Sequence, residues 1–455
     1  MTSVVDWVID TKQSFSSVEL VSFKQMTNAL NRFWPGCSRR SLTRAISDEM
    51  KTATKKFFAI TCDGWSTRTL RSYFVIMLHW IDETWTLRDC ILDFKYFPPP
   101  HDQWSTMSLI LESLVLANVH TKIKDATTNN VSEMIPAFQH LRDELKNKFA
   151  VNLDYGWHLR CVCHIMHRVV IDSEAIFKPK VEKLRAMLKA IFLLGAREHE
   201  TKEVPGLDVE NRWNTMFIMI DSSYSLMEAF QSLLKMSEHY SKLVTLTSIE
   251  WRVLKCFKDF LAPAYEMTIL SSGRYATLSN QSLVFESLKT HCQDTINGTI
   301  NSGFTAPESK DAARALMIKL EKYQEHLTGP LPITRSLLIA ARRARAPTFE
   351  FNSDRDDVSK EITDFLQFTK IGDESCDDAV VWWAGIGCKR FPRLSLIARD
   401  TLMCMSSSVP SESAFSDSGA IATAERNRLC DTSIKTTMKL RSWKRLFNEI
   451  NKTSL

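Results

Sequence analysis

Residues 57–97 pattern as three consecutive β-type runs, and Pro98-Pro-Pro100 ends them. Phe57-Phe-Ala-Ile-Thr61 is the first run, Ser72–Ile81 the second, and Trp85–Phe97, with partial alternation, the third. The connections Gly64-Trp-Ser-Thr-Arg68 and Asp82-Glu-Thr84 are short, which predicts an antiparallel meander. Beyond the prolines the chain turns mostly helical. Ser105–Val119 carries an apolar face of Leu109, Leu111, Leu114, Val115 and Leu116, and Ser132–Ala150 reads as another helix. A short strand is expected before Asn129, and Tyr155–Val162 reads as a further one leading into a helix from His164. Periodicity alone therefore defines an α/β chain with an antiparallel part.

Elsewhere the strand signal is nearly absent. Residues 1–56 read as short helices, Val18–Leu30 and Ser41–Lys56, the latter after Pro35-Gly36. Met216–Ser237, Ser248–Leu270, Leu278–Gln293 and Ala312–Leu327 form a helical stretch, followed by a basic junction at Ala341–Pro347 and a partly acidic connector at Phe351–Asp378. Asp377–Arg399 and Thr432–Glu449 read as closing helices. Four parts are expected: 1–56, 57–214, 215–370 and 371–455.

A chain of 455 residues with 44% apolar and 24% charged residues can bury a sizeable core. Its 11 Cys follow no framework spacing, which fits reduced thiols inside a cell. No apolar run reaches the ~18 residues of a membrane span, and Asp6 and Asp10 interrupt the apolar start as a secretory signal would not. Net charge is +5. Residues 36–56 carry Arg39, Arg40, Arg44, Lys51, Lys55 and Lys56; residues 425–447 carry Arg426, Arg428, Lys435, Lys439, Arg441, Lys444 and Arg445. Such stretches neutralise phosphates without reading sequence, or else form solvated helix faces.

Three separated segments carry the candidate chemistry: Phe58-Ala-Ile-Thr-Cys-Asp63-Gly-Trp65-Ser-Thr67, Thr127-Thr-Asn129-Asn130-Val-Ser-Glu-Met134 and Ser408-Val-Pro-Ser-Glu412-Ser-Ala-Phe415-Ser416. Together they resemble the split core of the hAT transposases (the hobo, Activator and Tam3 group). The resemblance implies a ribonuclease-H-like fold interrupted by a long all-helical insertion. It also implies three carboxylates around two Mg²⁺ or Mn²⁺ ions that activate the attacking oxygen and stabilise the leaving one. Asp63 falls at the first catalytic and metal-binding position and Glu412 at the third. The middle position, an Asp in the family, holds Asn129. An amide is neutral and offers one carbonyl oxygen where a carboxylate offers two charged ones. A rival alignment with a gap uses Asp125 as the missing acid. Each residue also has a plainer reading: Asp63 as a turn opener after a strand, Glu412 as a helix-start acid behind an N-capping Ser411.

Further segments extend the resemblance. Arg160-Cys161-Val-Cys163-His164 is similar to the family's Cys-x-x-His element. With His167 it offers one ligand cluster, whereas zinc sites draw on two separated pairs, so a buried Cys161 and a helix-opening His164 are expected. Asn211-Arg212-Trp213-Asn214 resembles an Arg-Trp-Asn motif whose aromatic, in active members, helps hold a flipped base, which makes Arg212 and Trp213 candidate DNA-binding residues; the alternative is a core Trp. From Asp378 to Lys444, Trp382-Trp383, Phe391-Pro392, Phe415-Ser416 and Arg426-Asn-Arg428-Leu429 resemble the C-terminal hAT dimerisation region. An apolar series through Ile434, Met438, Leu440, Trp443 and Phe447 gives one packed face, against this chain or a partner. Before residue 57 only Cys37 occurs, so the family's BED-type finger is not expected there. The resemblance thus implies a nuclear, degenerate or domesticated transposase relative. It would associate with itself or related hAT proteins through residues 378–447 and bind DNA without cutting it. The alternatives are an active Mg²⁺- or Mn²⁺-dependent enzyme using Asp63, Asp125 and Glu412, or a pure interaction protein.

Overall fold

The computed structural model describes residues 57–66, 71–153, 157–198, 205–209, 212–236, 245–273, 276–277, 279–299, 306–327, 360–361, 364–365, 379–421 and 431–453. The expected N-terminal helices, the basic stretch 36–56, the junction 341–347 and Arg426–Leu429 lie outside them, as does most of the connector 351–378. The chain forms two compact units. One takes residues 1–161, 274–279 and 330–455; the other takes 162–273 and 280–329.

The first unit is built on a five-stranded mixed sheet in the order β3-β2-β1-β4-β5. β1 (Phe58–Ser66), β2 (Ser72–Ile81) and β3 (Leu87–Tyr96) form the expected antiparallel meander. β4 (Ile123–Thr128) runs parallel to β1, and β5 (His158–Arg160) parallel to β4. The turn between β2 and β3 closes on Asp82. Its Oδ1 accepts the backbone N–H groups of Thr84 and Thr86 at 2.9 and 3.0 Å, its Oδ2 accepts Arg88 Nε at 2.7 Å, and Trp85 takes a left-handed φ of 58°.

Alternation along β1 sorts the two faces of the sheet. Phe58, Ile60 and Cys62 join a core with Ile110 and Leu114 of α1 (Gln103–Leu116) and Phe138 and Leu141 of α2 (Met134–Phe149). Asp102 caps α1 by accepting the Ser105 N–H at 2.7 Å, and Ala150 closes α2 in the left-handed conformation. Ala59, Thr61 and Asp63 point the other way, toward the C-terminal elements. There Ala379–Trp382, a π-helical turn Trp383–Gly387 and Cys388–Arg390 form a broken helix α9. It is followed by α10 (Pro392–Leu402), α11 (Val409–Ile421) and α12 (Asp431–Thr453).

Several residues that mark the dimerisation region are packing residues. Trp383 stacks on Trp85 with centroids 6.3 Å apart and rings 9° from parallel. A Cβ on Gly387 would lie 2.5 Å from Trp383 and 2.6 Å from Trp382, so only glycine lets these rings close over the turn. α12 covers edge strand β3. Ser442 Oγ accepts the Ile91 N–H at 2.8 Å and Trp443 Nε1 donates to the Ile91 carbonyl at 3.0 Å, satisfying backbone groups that an open edge leaves bare. Ile434 and Met438 join the core under β2 and β3, while Trp443 and Leu446 join the opposite one. The apolar series of this helix therefore packs within the chain.

The second unit is all-helical in its described residues. α3 (Val162–Glu198) is 37 residues long and starts two residues before the expected His164. Met216–Ser237, expected as one helix, breaks at Leu226 into α4 (Trp213–Ser225) and α5 (Met227–Met236). A capping box between Thr247 and Glu250 opens α6 (Ser248–Ser272). α7 (Ser279–Asn297) and α8 (Pro307–Leu327) complete the set. Its core is separate from that of the first unit and includes Phe177 stacked on Phe257 at 4.0 Å. No described helix is long and apolar enough to cross a membrane.

A candidate site where two parallel strands end

β1 and β4 run parallel until Cys62 opposite Thr128, so Asp63, still inside β1 and opposite Val75 of β2, lies beside Asn129 just past the end of β4. Both are buried, at 6% and 9% exposure. Asn129 Nδ2 donates a 2.6 Å hydrogen bond to Asp63 Oδ1. The same oxygen accepts the Gly64 N–H at 2.9 Å. Asn129 Oδ1 accepts the Val131 N–H at 3.4 Å, and with Asp63 opposite the Nδ2 this fixes the amide orientation from both ends.

Glu412 sits half-buried in the first turn of α11. Beside it, the Ser411 hydroxyl lies 2.7 Å from the Thr61 hydroxyl, and Thr61 in turn lies 2.9 Å from Nε2 of the buried His79. That chain seats the start of α11 on β1, two residues before Asp63. Trp65 stacks on Phe415 at 5.6 Å, so the aromatic residues flanking Asp63 and Glu412 bind strand to helix. Thr61 and Ser411 lie inside the motif segments, though neither motif marks this contact, and His79 lies outside them; period-2 alternation from Asp63 was the available signal for Thr61. On β4, Thr127 donates to the Met405 carbonyl at 2.7 Å and ties the segment before α11 to the same sheet face.

Asp125 is placed elsewhere. It pairs with Ala59 in the middle of β4. Four residues before Asn129, it lies about 13 Å back along the strand.

The resemblance implies a pair of divalent cations, and the residues do not fit them. An amide NH₂ is a donor only, and here it occupies the carboxylate oxygen that a cation would take. Asn129's own oxygen is turned to Val131. Among the described residues, no group of three or more His, Cys, Asp or Glu is arranged to hold a metal ion, the Cys-x-x-His element included. Cys161 is buried and its N–H donates to the Thr128 carbonyl at 2.8 Å, continuing the β4–β5 pairing. His164 lies half-buried in the first turn of α3.

Arg212 and Trp213 belong to the helical unit. Arg212 is exposed ahead of α4, while Trp213 is 5% exposed and meets Tyr265 edge-on. Both border a cavity of about 550 Å³ whose wall includes Arg185. Arg185 binds Asp208 through Nε at 2.9 Å and Nη2 at 2.5 Å, and Glu182 through Nη1 at 2.7 Å. The hydrogen bonds that Arg185 donates to Asp208 hold its guanidinium firmly charged. Part of the C-terminal basic stretch is held by carboxylates of β3. Lys435 pairs with Asp93 at 2.6 Å and Arg445 with Asp89. Burial presses the Lys439 ammonium below the usual lysine range, against the pull of Asp93.

Residues 61–155 match the family described as the ZBED1 RNase-like domain, and residues 361–444 match the hAT family C-terminal dimerisation region. The first match spans most of the sheet with α1 and α2; the second spans α9 to α11 and most of α12. Together they define a transposase-like protein. Two relatives align across nearly the whole chain. A protein named AC transposase from Zea mays is 21% identical over 520 aligned positions, covering 96% of this chain and 64% of the relative. The Zea mays AC9 transposase matches over the same shares at 21% identity. Zinc finger BED domain-containing protein RICESLEEPER 2 of Oryza sativa subsp. japonica is 24% identical over 46% of this chain and 30% of its own length. The chain is a hAT transposase-like protein carrying the C-terminal dimerisation region of that superfamily. It spans just under two thirds of the length of the two Zea mays relatives.

Proposed function

We propose that this is a degenerate or domesticated hAT-type protein that self-associates, binds DNA in the nucleus and does not cut it. On this reading the sheet with α1, α2 and the C-terminal helices is the ribonuclease-H-like core, and the insertion expected at 215–370 corresponds instead to the helical unit of residues 162–273 and 280–329. The observation that carries the reading is the bond from Asn129 Nδ2 to Asp63 Oδ1. It leaves Asp63 and Glu412 as the acids at the two outer motif positions, with an amide donor at the middle one. DNA binding draws support from the transposase relatives and from the positive net charge. Because Lys435 and Arg445 are held in ion pairs, it does not rest on those two.

The alternative, an active enzyme using Asp63, Asp125 and Glu412 with Mg²⁺ or Mn²⁺, would need Asp125 to act from about 13 Å along β4. Incubating the full chain with supercoiled plasmid and Mn²⁺ tests both readings. No nicking or hairpin formation is expected. Nicking that disappears on Asp63→Ala, Glu412→Ala and Asp125→Ala would overturn the proposal in favour of the enzyme.

A further inference from the structure

Two carboxylates set side by side on adjacent parallel strands repel each other unless a cation or a proton stands between them. Here the second group is an amide, and its N–H lies against the carboxylate at 2.6 Å. The contact is nearly sealed from water, with Asp63 6% and Asn129 9% exposed. Asp63 Oδ1 takes a second N–H from Gly64, and Asn129 Oδ1 takes one from Val131 at the turn leading to α2. Asp63 Oδ1 is therefore bonded by two N–H donors of this chain, the Gly64 backbone within β1 and the Asn129 amide just past β4.

We propose that Asn129 is a built-in cation surrogate. Its amide ties the end of β4 to Asp63 within β1, so that this unit reaches full stability without a divalent ion. A hydrogen bond to a charged acceptor is about twice as strong as a neutral one, and removing the donor leaves a buried carboxylate short of a partner. This inference concerns folding and goes beyond the non-cleaving reading.

Thermal unfolding of the full chain in EDTA and in saturating MnCl₂ tests it, with Asn129→Asp and Asn129→Ala alongside the wild type. A ligand raises the melting temperature only by binding the folded state. The wild type is expected to melt at one temperature in both buffers. Asn129→Asp should melt lower in EDTA, by roughly 5 °C, and recover in MnCl₂. Asn129→Ala should fall by a similar amount and not recover. The inference is overturned if the wild type gains from MnCl₂ as Asn129→Asp does, or if Asn129→Ala melts with the wild type. Should Asn129→Asp fold in neither buffer, the wild type and Asn129→Ala decide the matter by the same criteria. A wild type that nicks plasmid but ignores MnCl₂ in melting would overturn the proposed function and leave this inference standing.

Discussion

His79, Thr61 and Ser411 form a joint between β1 and α11. Thr61 stands between the Ser411 hydroxyl and His79 Nε2, so its hydroxyl is satisfied on both sides. Thr61→Val keeps the shape and strands both partners in a buried setting; a loss of about 1–3 kcal/mol in denaturant unfolding is expected. Thr61→Ser should retain most of that stability. Asn129 shows how far single residues can be read from the chain. The amide at the position of an acid is visible in the sequence. That its NH₂ would turn onto Asp63 is not, because the orientation follows from strand register and from the Val131 N–H.

Among the secondary-structure elements, the meander was legible because alternation and short turns leave few other foldings. α12 was less so. Its lysines and arginines read as a phosphate-binding or a solvated face, yet Lys435 and Arg445 pair with carboxylates on β3, about 350 residues earlier in the chain. Periodicity carries no information about a pairing that distant. Burial alone would raise the Asp93 carboxyl, but the hydrogen bond from Lys435 and the charges of Lys435 and Lys439 outweigh it and hold it below its ordinary value. A depressed folded-state value stabilises above the unfolded pKa, about 3.9 for Asp. That stability is lost as pH falls through the folded value. Acid titration by circular dichroism should therefore show Asp93→Asn losing less stability between neutral and acid pH than the wild type. Trp443→Ala removes a buried indole and its bond to Ile91, and a loss of about 3–5 kcal/mol is expected in the same denaturant assay. Gly387→Ala drives a methyl into two indole rings and should destabilise the packing of α9 on Trp85.

Taken whole, the molecule has two units, each with its own core, and the chemistry-bearing residues divide between them. Asp63, Asn129 and Glu412 lie in the first; Arg212 and Trp213 lie in the second. The compact units divide at residues 161 and 162, inside the Cys-x-x-His element, because α3 continues unbroken from the end of β5 into the helical core. Helical periodicity marks where helices are and says little about which core they join. If the chain binds DNA through phosphates, fluorescence anisotropy should show the logarithm of affinity falling linearly with the logarithm of salt, by about 0.9 per phosphate contact. A salt-insensitive or absent signal, with self-association intact in light scattering, would instead favour an interaction protein acting through the dimerisation region. The most direct test of the central claim is Mn²⁺ binding by calorimetry, comparing the wild type with Asn129→Asp. Weak binding or none is expected for the wild type and tight binding for the variant, lost again on Asp63→Ala; tight Mn²⁺ binding by the wild type through Asp63 would contradict an amide-blocked site.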